Sequence, residues 1–137
     1  MGEAVRRLRI ATGEDLRWFA EQLVRHEHIL PHGWTVESVL KGIAARTCTP
    51  VIADCNSGKA AILFIRAGHV LQIVFAAGEG MVECMEDLAR EFVAHVGDDI
   101  TAIQVFGRRG WDRLARRFGL EESGRIWFGG ISGLRRH

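Results

Sequence analysis

Residues 70–81 read Val70-Leu71-Gln72-Ile73-Val74-Phe75-Ala76-Ala77-Gly78-Glu79-Gly80-Met81. The run from Val70 to Phe75 is almost continuously apolar, as expected of a strand buried on both faces. Gly78 and Gly80 interrupt it. Behind them Met81, Cys84, Met85, Leu88, Phe92 and Val93 recur at helical spacing, and Gly97-Asp98 ends that helix. Ile100 to Phe106 is a second apolar strand. A strand, a helix and a strand in succession imply parallel neighbours joined by a right-handed crossover.

Outward toward the N-terminus, Val5 to Ala11 reads as a strand. Thr12 is placed to cap the next helix, with Asp15 in the capping-box position and Leu16, Phe19, Ala20, Leu23 and Val24 on one face. That helix ends near His28, ahead of Pro31. Thr35 caps a second helix whose apolar positions are Val36, Val39, Leu40, Ile43 and Ala44. Pro50 to Ala53 starts a strand, and Asp54, Asn56, Ser57 and Gly58 form the turn of a hairpin returning over Ala60 to Arg66. Outward toward the C-terminus, Trp111, Leu114, Ala115 and Phe118 make a short helix closed by Gly119. Arg125 to Phe128 is a last strand, and 129–137 reads as a flexible tail. The predicted order is β-α-α-β-β-β-α-β-α-β. This is an α/β (α+β) architecture, a central mixed, mostly antiparallel sheet flanked by helices.

The chain has 137 residues, so a single domain over 1–137 is expected. With 47% hydrophobic and 26% charged residues, it has the composition of a folded domain and not of a disordered one. A net charge of +1 gives no global attraction to nucleic acid or to an anionic membrane. Three cysteines, an odd number without a CxxC pair, fit free thiols in a reducing compartment. No apolar run is long enough to span a bilayer, and the basic start, Met1 to Arg9, leads into no signal core. A cytoplasmic protein is expected, or one packaged from a cytoplasm.

The order of elements and the Gly78-Glu79-Gly80 spacing between strand and helix resemble the GNAT N-acetyltransferase fold, over nearly the whole chain. In that family the equivalent loop reads Q/R-x-x-G-x-G/A and holds the pyrophosphate of acetyl-CoA on backbone N–H groups at a helix start. Carried over, the resemblance implies acetyl-CoA contacts from Val74, Phe75, Ala76, Gly78, Gly80 and Met81; no metal is expected, since the histidines lack standard ligand spacing. Phe75 stands where the family has Gln or Arg, and Glu79 is an anion beside the implied phosphate site. The segment Arg108-Arg109-Gly110-Trp111-Asp112-Arg113-Leu114-Ala115-Arg116-Arg117-Phe118-Gly119-Leu120 is similar to the family's N-x-x-A-x-x-L/F-Y-x-x-x-G-F. Ala115 takes the place of the tyrosine that often protonates the departing thiolate, and the chain contains no tyrosine. The strand around Gln72 offers no carboxylate as a general base. The resemblance implies that the loop between the first two helices, with His28, His32 and Trp34, lines the acceptor site.

Two functions follow from this. One is a GNAT-type acyl-CoA-dependent N-acyltransferase, whole or degenerate, acting on an unidentified amine acceptor. The other is a non-catalytic GNAT-fold protein that uses the fold as a binding surface. The arginine-glycine-tryptophan turn at Arg109 to Trp111 resembles that of short GNAT-like proteins encoded by tailed phages, so the partner of this second form is a virion, a host protein or a second copy of the chain.

Other clusters have plainer readings. His26, His28 and His32 lack the spacing of a helical metal site, and a solvated helix end accounts for them. Arg108, Arg109, Arg113, Arg116 and Arg117 read first as a solvated face, balanced in part by Asp112, Glu121 and Glu122, and second as a phosphate-binding patch. Trp18, Trp111 and Trp127 are expected in the core, as is Cys84.

Overall fold

The structure, a computed structural model, describes residues 7–55, 58–78, 99–106, 121–123 and 126–130. The elements in chain order are β1 (Arg7–Ile10), α1 (Glu14–Arg25), a 3-10 turn (Glu27–Ile29), α2 (Val36–Ala44), β2 (Thr49–Cys55), β3 (Gly58–Ala67), β4 (Val70–Gly78), β5 (Ala102–Phe106), β6 (Glu121–Ser123) and β7 (Ile126–Gly130). The seven strands form one sheet in the order β1-β2-β3-β4-β5-β7-β6. Every pairing is antiparallel except β4 with β5. This is the mixed, mostly antiparallel sheet expected, with its parallel pair at the expected place. The helices predicted over Met81 to Val93 and Trp111 to Phe118 lie outside the described residues.

Two boundaries differ from expectation. β7 continues through Gly129 and Gly130, which pair with Ile103 and Ala102, so the C-terminal tail does not begin at 129. β6 had no apolar alternation to announce it. It is a three-residue edge strand of acidic sequence, paired with β7 among the described residues, and charge is a common device at sheet edges.

The α1 start is also a correction. Thr12 does not cap the helix; the N-cap is Gly13, at φ +56°, without a side-chain bond. The Asp15 carboxylate is turned away from the helix end and held by Arg9. Arg9 Nε donates to Asp15 Oδ2 at 2.6 Å and Nη2 donates to Oδ1 at 2.9 Å. Arg9 Nη1 also donates to Asp54 Oδ2 at 2.5 Å. One guanidinium therefore ties β1 to the first turn of α1 and to β2, and a bidentate fork is stronger than a cap bond. Lys59 Nζ lies 3.9 Å from Asp15 and 4.4 Å from the Trp18 ring centroid. Trp18 is half-buried: it packs against the core as expected, at its edge, with the cation over its ring.

α2 starts as predicted. Ser38 N donates to Thr35 Oγ1 at 3.0 Å and Thr35 N donates to Ser38 Oγ at 2.9 Å. Val36 N, the next free donor, is taken by Glu27 Oε2 at 2.9 Å, which closes the loop between the helices. Phe19 and Leu23 of α1 and Val39 of α2 pack with Ile52, Ala61, Leu63, Val74, Phe75 and Ala77 of the sheet. The Phe19 and Phe75 rings meet at 6.1 Å with a 54° tilt. The opposite face of β3 is dry as well, with Ala60, Ile62 and Phe64 buried.

The hydrogen bond from Arg9, reinforced by its charge, holds the Asp15 carboxyl below the usual carboxylate range. A lowered folded-state pKa means that this contribution is complete above the ordinary value of 3.8 and disappears as pH falls through the folded one. Asp15→Asn should therefore cost about 1 kcal/mol at pH 7, a modest figure because the pair is part-exposed. In urea titrations the gap between wild type and variant should close below about pH 4. A gap that persists undiminished at pH 2 contradicts the assignment.

Candidate functional site

β4 keeps its antiparallel partner β3 along its length, from Val70 opposite Ala67 to Gly78 opposite Ala60. Its parallel partner β5 stays with it over only four pairs, from Val70–Ala102 to Ile73–Val105. Beyond that point β5 remains with β7, as Phe106 pairs with Ile126. Among the described residues, Val74 to Gly78 thus have no strand on the β5 side. Among the described residues a wedge is thus left between the carboxyl ends of the two parallel strands, the position at which open α/β sheets receive ligands.

The β3–β4 register breaks at the same point. Leu63 pairs with Phe75 and Phe64 with Ile73, so Val74 is an extra residue on β4. Both Val74 and Phe75, though adjacent, join the core cluster beneath α1 and α2. A bulge turns two successive side chains to one side in this way and bends the strand locally.

Of the residues expected to contact acetyl-CoA, Val74, Phe75 and Ala76 are buried by their side chains. Only their backbones could meet a ligand, along the edge that has no partner among the described residues. Gly78 ends β4 at φ +146°, and a Cβ there would meet the Lys59 carbonyl oxygen at 2.2 Å and Ala60 Cα at 2.8 Å. Close approach to β3 therefore requires glycine at 78, apart from any phosphate. Gly80 and Met81 lie outside the described residues. Of the expected acceptor-site residues, Trp34 packs partly buried against the cluster that contains Val74 and Phe75. His28, in the 3-10 turn, and His32 are exposed. The His28 ring lies 6.2 Å from that of His26.

One feature of the site was not expected. Gln72 Nε2 donates to Gln104 Oε1 at 2.7 Å across the parallel pair, at the register position just before the wedge. A signal was present: each of the two strands carries a single polar side chain within an apolar run, Leu71-Gln72-Ile73 and Ile103-Gln104-Val105.

Among the described residues no group of three or more His, Cys, Asp or Glu is arranged to hold a metal. Cys48 is buried, and burial raises its thiol pKa, which disfavours the thiolate nucleophile. No described helix is long and apolar enough to cross a membrane.

Gly78→Ala should destabilise the chain by on the order of 3 kcal/mol, combining backbone strain with the clash at Lys59. It should do so in the free protein, measured by chemical denaturation without ligand. A neutral effect contradicts the packing account of this glycine.

No family model matches this sequence, and no curated protein does. Among solved structures the chain is similar to Tetrahymena GCN5, with a TM-score of 0.59 at 11% identity over 90% of this chain and 95% of that one. It is similar also to N-acetylglutamate synthase from Neisseria gonorrhoeae, solved in complex with coenzyme A and N-acetyl-glutamate. That match has a TM-score of 0.55 at 16% identity, covering 90% of this chain and 34% of that one. Together with the sheet order, the position of the parallel pair and the wedge beside β4, these likenesses establish a GNAT-like fold for this chain.

Proposed function

We propose that the chain is a GNAT-type acyl-CoA-dependent N-acyltransferase that works by positioning, without a side-chain acid or base on its central strands. The observation that carries this reading is the wedge. Val74 to Gly78 present a backbone edge with no strand partner among the described residues, beside the carboxyl end of the parallel pair. Unpaired amides of this kind suit the amide-rich arm of coenzyme A and the carbonyl of a thioester. A neighbour of the same fold was solved with coenzyme A. Acetyl-CoA would supply the activated acyl group, held by the backbones of Val74, Phe75 and Ala76. The turn through Gly80 and Met81 would receive its pyrophosphate.

The acceptor amine would enter over the face that carries α1 and α2, near Trp34, with exposed His28 and His32 at the rim. On β4 the single polar side chain is Gln72, which does not ionise. The amine must then reach the site already neutral, and effective concentration and orientation carry the rate. The rate should rise with pH along the acceptor's own ionisation and show no separate ionisation of the protein. Such a protein would work in the cytoplasm.

The absent tyrosine and the carboxylate-free β4 favour a second reading, a non-catalytic protein of the same fold, of a phage particle or directed at a host protein. Its sign would be purification in fixed stoichiometry with such a partner, without turnover of acetyl-CoA.

Thermal melting with acetyl-CoA tests the first reading. At about 100 times its dissociation constant the ligand should add roughly 2.7 kcal/mol, which moves the midpoint up by several degrees. Gly80→Glu should abolish the shift. No shift at millimolar acetyl-CoA contradicts the proposal.

A further inference from the structure

Gln72 and Gln104 are the only polar side chains of β4 and β5, which otherwise read Val, Leu, Ile, Val, Phe, Ala, Ala, Gly and Ala, Ile, Val, Phe. A parallel pair is ordinarily built from apolar residues throughout, so two amides at one register position ask for a use beyond folding. Their place in the sheet is specific. Gln72 pairs with Ile65 on β3, and Ile65 packs against the core cluster beneath α1 and α2, as Trp34 does. The two glutamines therefore stand on the sheet face that carries the two helices and their connecting loop. They also stand one residue before the strands part, at the apex of the wedge.

The bond between them leaves a defined remainder. A primary amide offers two donor hydrogens and one carbonyl. The single bond of 2.7 Å uses one hydrogen of Gln72 and one lone pair of Gln104. Among the described residues Gln72 Oε1 and Gln104 Nε2 have no partner, and no fully buried side-chain N or O atom lacks one, so neither of these two atoms is fully buried. If both amides are turned round, the outcome is the same: one carbonyl and one NH2 stay free, side by side. That pair of groups is uncharged. It complements a ligand group that carries an N–H and a C=O together. A carboxylate would meet the free carbonyl, and an ammonium would meet the free NH2, so neither satisfies both.

We infer that the Gln72–Gln104 pair determines acceptor specificity, selecting amines that carry a carboxamide or peptide group next to the amino group. The inference rests on the acyltransferase reading above, which places an acceptor at this wedge. The pair docks the acceptor's amide group, and the amino group is directed toward the β4 edge. The glutamines act on orientation and choice of acceptor and take no proton.

The test compares two matched amines, alaninamide and isopropylamine, which differ by the carboxamide alone, as acceptors of acetyl-CoA. Each kcat/KM is measured for the wild type, Gln72→Leu and the double variant Gln72→Leu/Gln104→Leu. The wild type should favour alaninamide at least tenfold at a pH at which both contain neutral amine, after correction for its fraction. Both variants should lose that preference by tenfold or more while isopropylamine changes less than threefold. The double variant keeps a satisfied apolar pair, and its melting shift with acetyl-CoA confirms that it folds and binds. If turnover is too slow to follow, the ratio of dissociation constants for the two amines in the coenzyme-A-loaded protein is the same readout. An unchanged preference in variants that retain the acetyl-CoA shift overturns this inference alone. Failure of alaninamide to bind the loaded wild type also overturns it. Absence of the acetyl-CoA shift in the wild type overturns the acyltransferase reading, and this inference with it.

Discussion

β5 is paired with β7 over all five of its residues but follows β4 only as far as Val105. Each of the two parallel strands keeps its antiparallel neighbour past the point where their own ladder stops. Parallel pairing is slightly weaker per residue, so this seam is where a twisted sheet of these strands separates most easily. The extra residue at Val74 fixes the place of separation. It bends β4 just past the last parallel pair and turns Val74 and Phe75 together into the core beneath α1 and α2. Burial of those side chains, with Phe75 against Phe19, anchors the bend. The edge is thereby anchored from one side, and among the described residues no strand pairs with it on the other.

The elements around the wedge are organised by short, directed polar contacts on the periphery of an apolar core. Arg9 joins β1, the first turn of α1 and β2 through Asp15 and Asp54. Glu27 and the Thr35–Ser38 box hold the start of α2 and close the loop that precedes it. At the other end of β4, His69 accepts amide bonds from Thr101 and Ala102 with its backbone carbonyl, and Arg66 bonds Asp99. The turn into β4 and the entry to β5 are thus fastened together, and the strands diverge only at their far ends. Among the described residues the consequence is a wedge closed at its base, with no strand pairing at its carboxyl end.

Much of this was legible in the sequence for simple reasons. The hydrophobic runs at Val70 to Phe75 and Ile100 to Phe106 are long enough to mark buried strands, and their separation demands a crossover. Thr35 announced α2 because apolar residues at helical spacing follow it, and Ser38 completes the cap in the structure. Thr12 and Asp15 showed the same local pattern and failed, since Arg9, six residues from Asp15 and on another element, competes for the carboxylate. A register shift at Val74 leaves no local mark, because it depends on which residues of β3 lie opposite. Gly78 was legible as a glycine but not in its cause: what excludes a side chain is the backbone of Lys59, nineteen positions earlier in the sequence. The glutamine pair was visible as two isolated polar residues, yet only the parallel register brings them together.

On the proposed reading, a GNAT-like fold, a β4 edge without a described partner and two neutral amides beside it make a site that recognises and orients without titrating. The claim at its centre is that the backbone from Val74 to Gly78 is the surface that receives coenzyme A. Residue-resolved amide hydrogen exchange with and without coenzyme A measures this directly. The amides of Val74 to Gly78 that face the β5 side should exchange rapidly in the free protein and become protected at least tenfold on binding. Those of Leu71 to Ile73, already within the sheet, should change little. Binding that leaves exchange at Val74 to Gly78 unaltered would contradict the account.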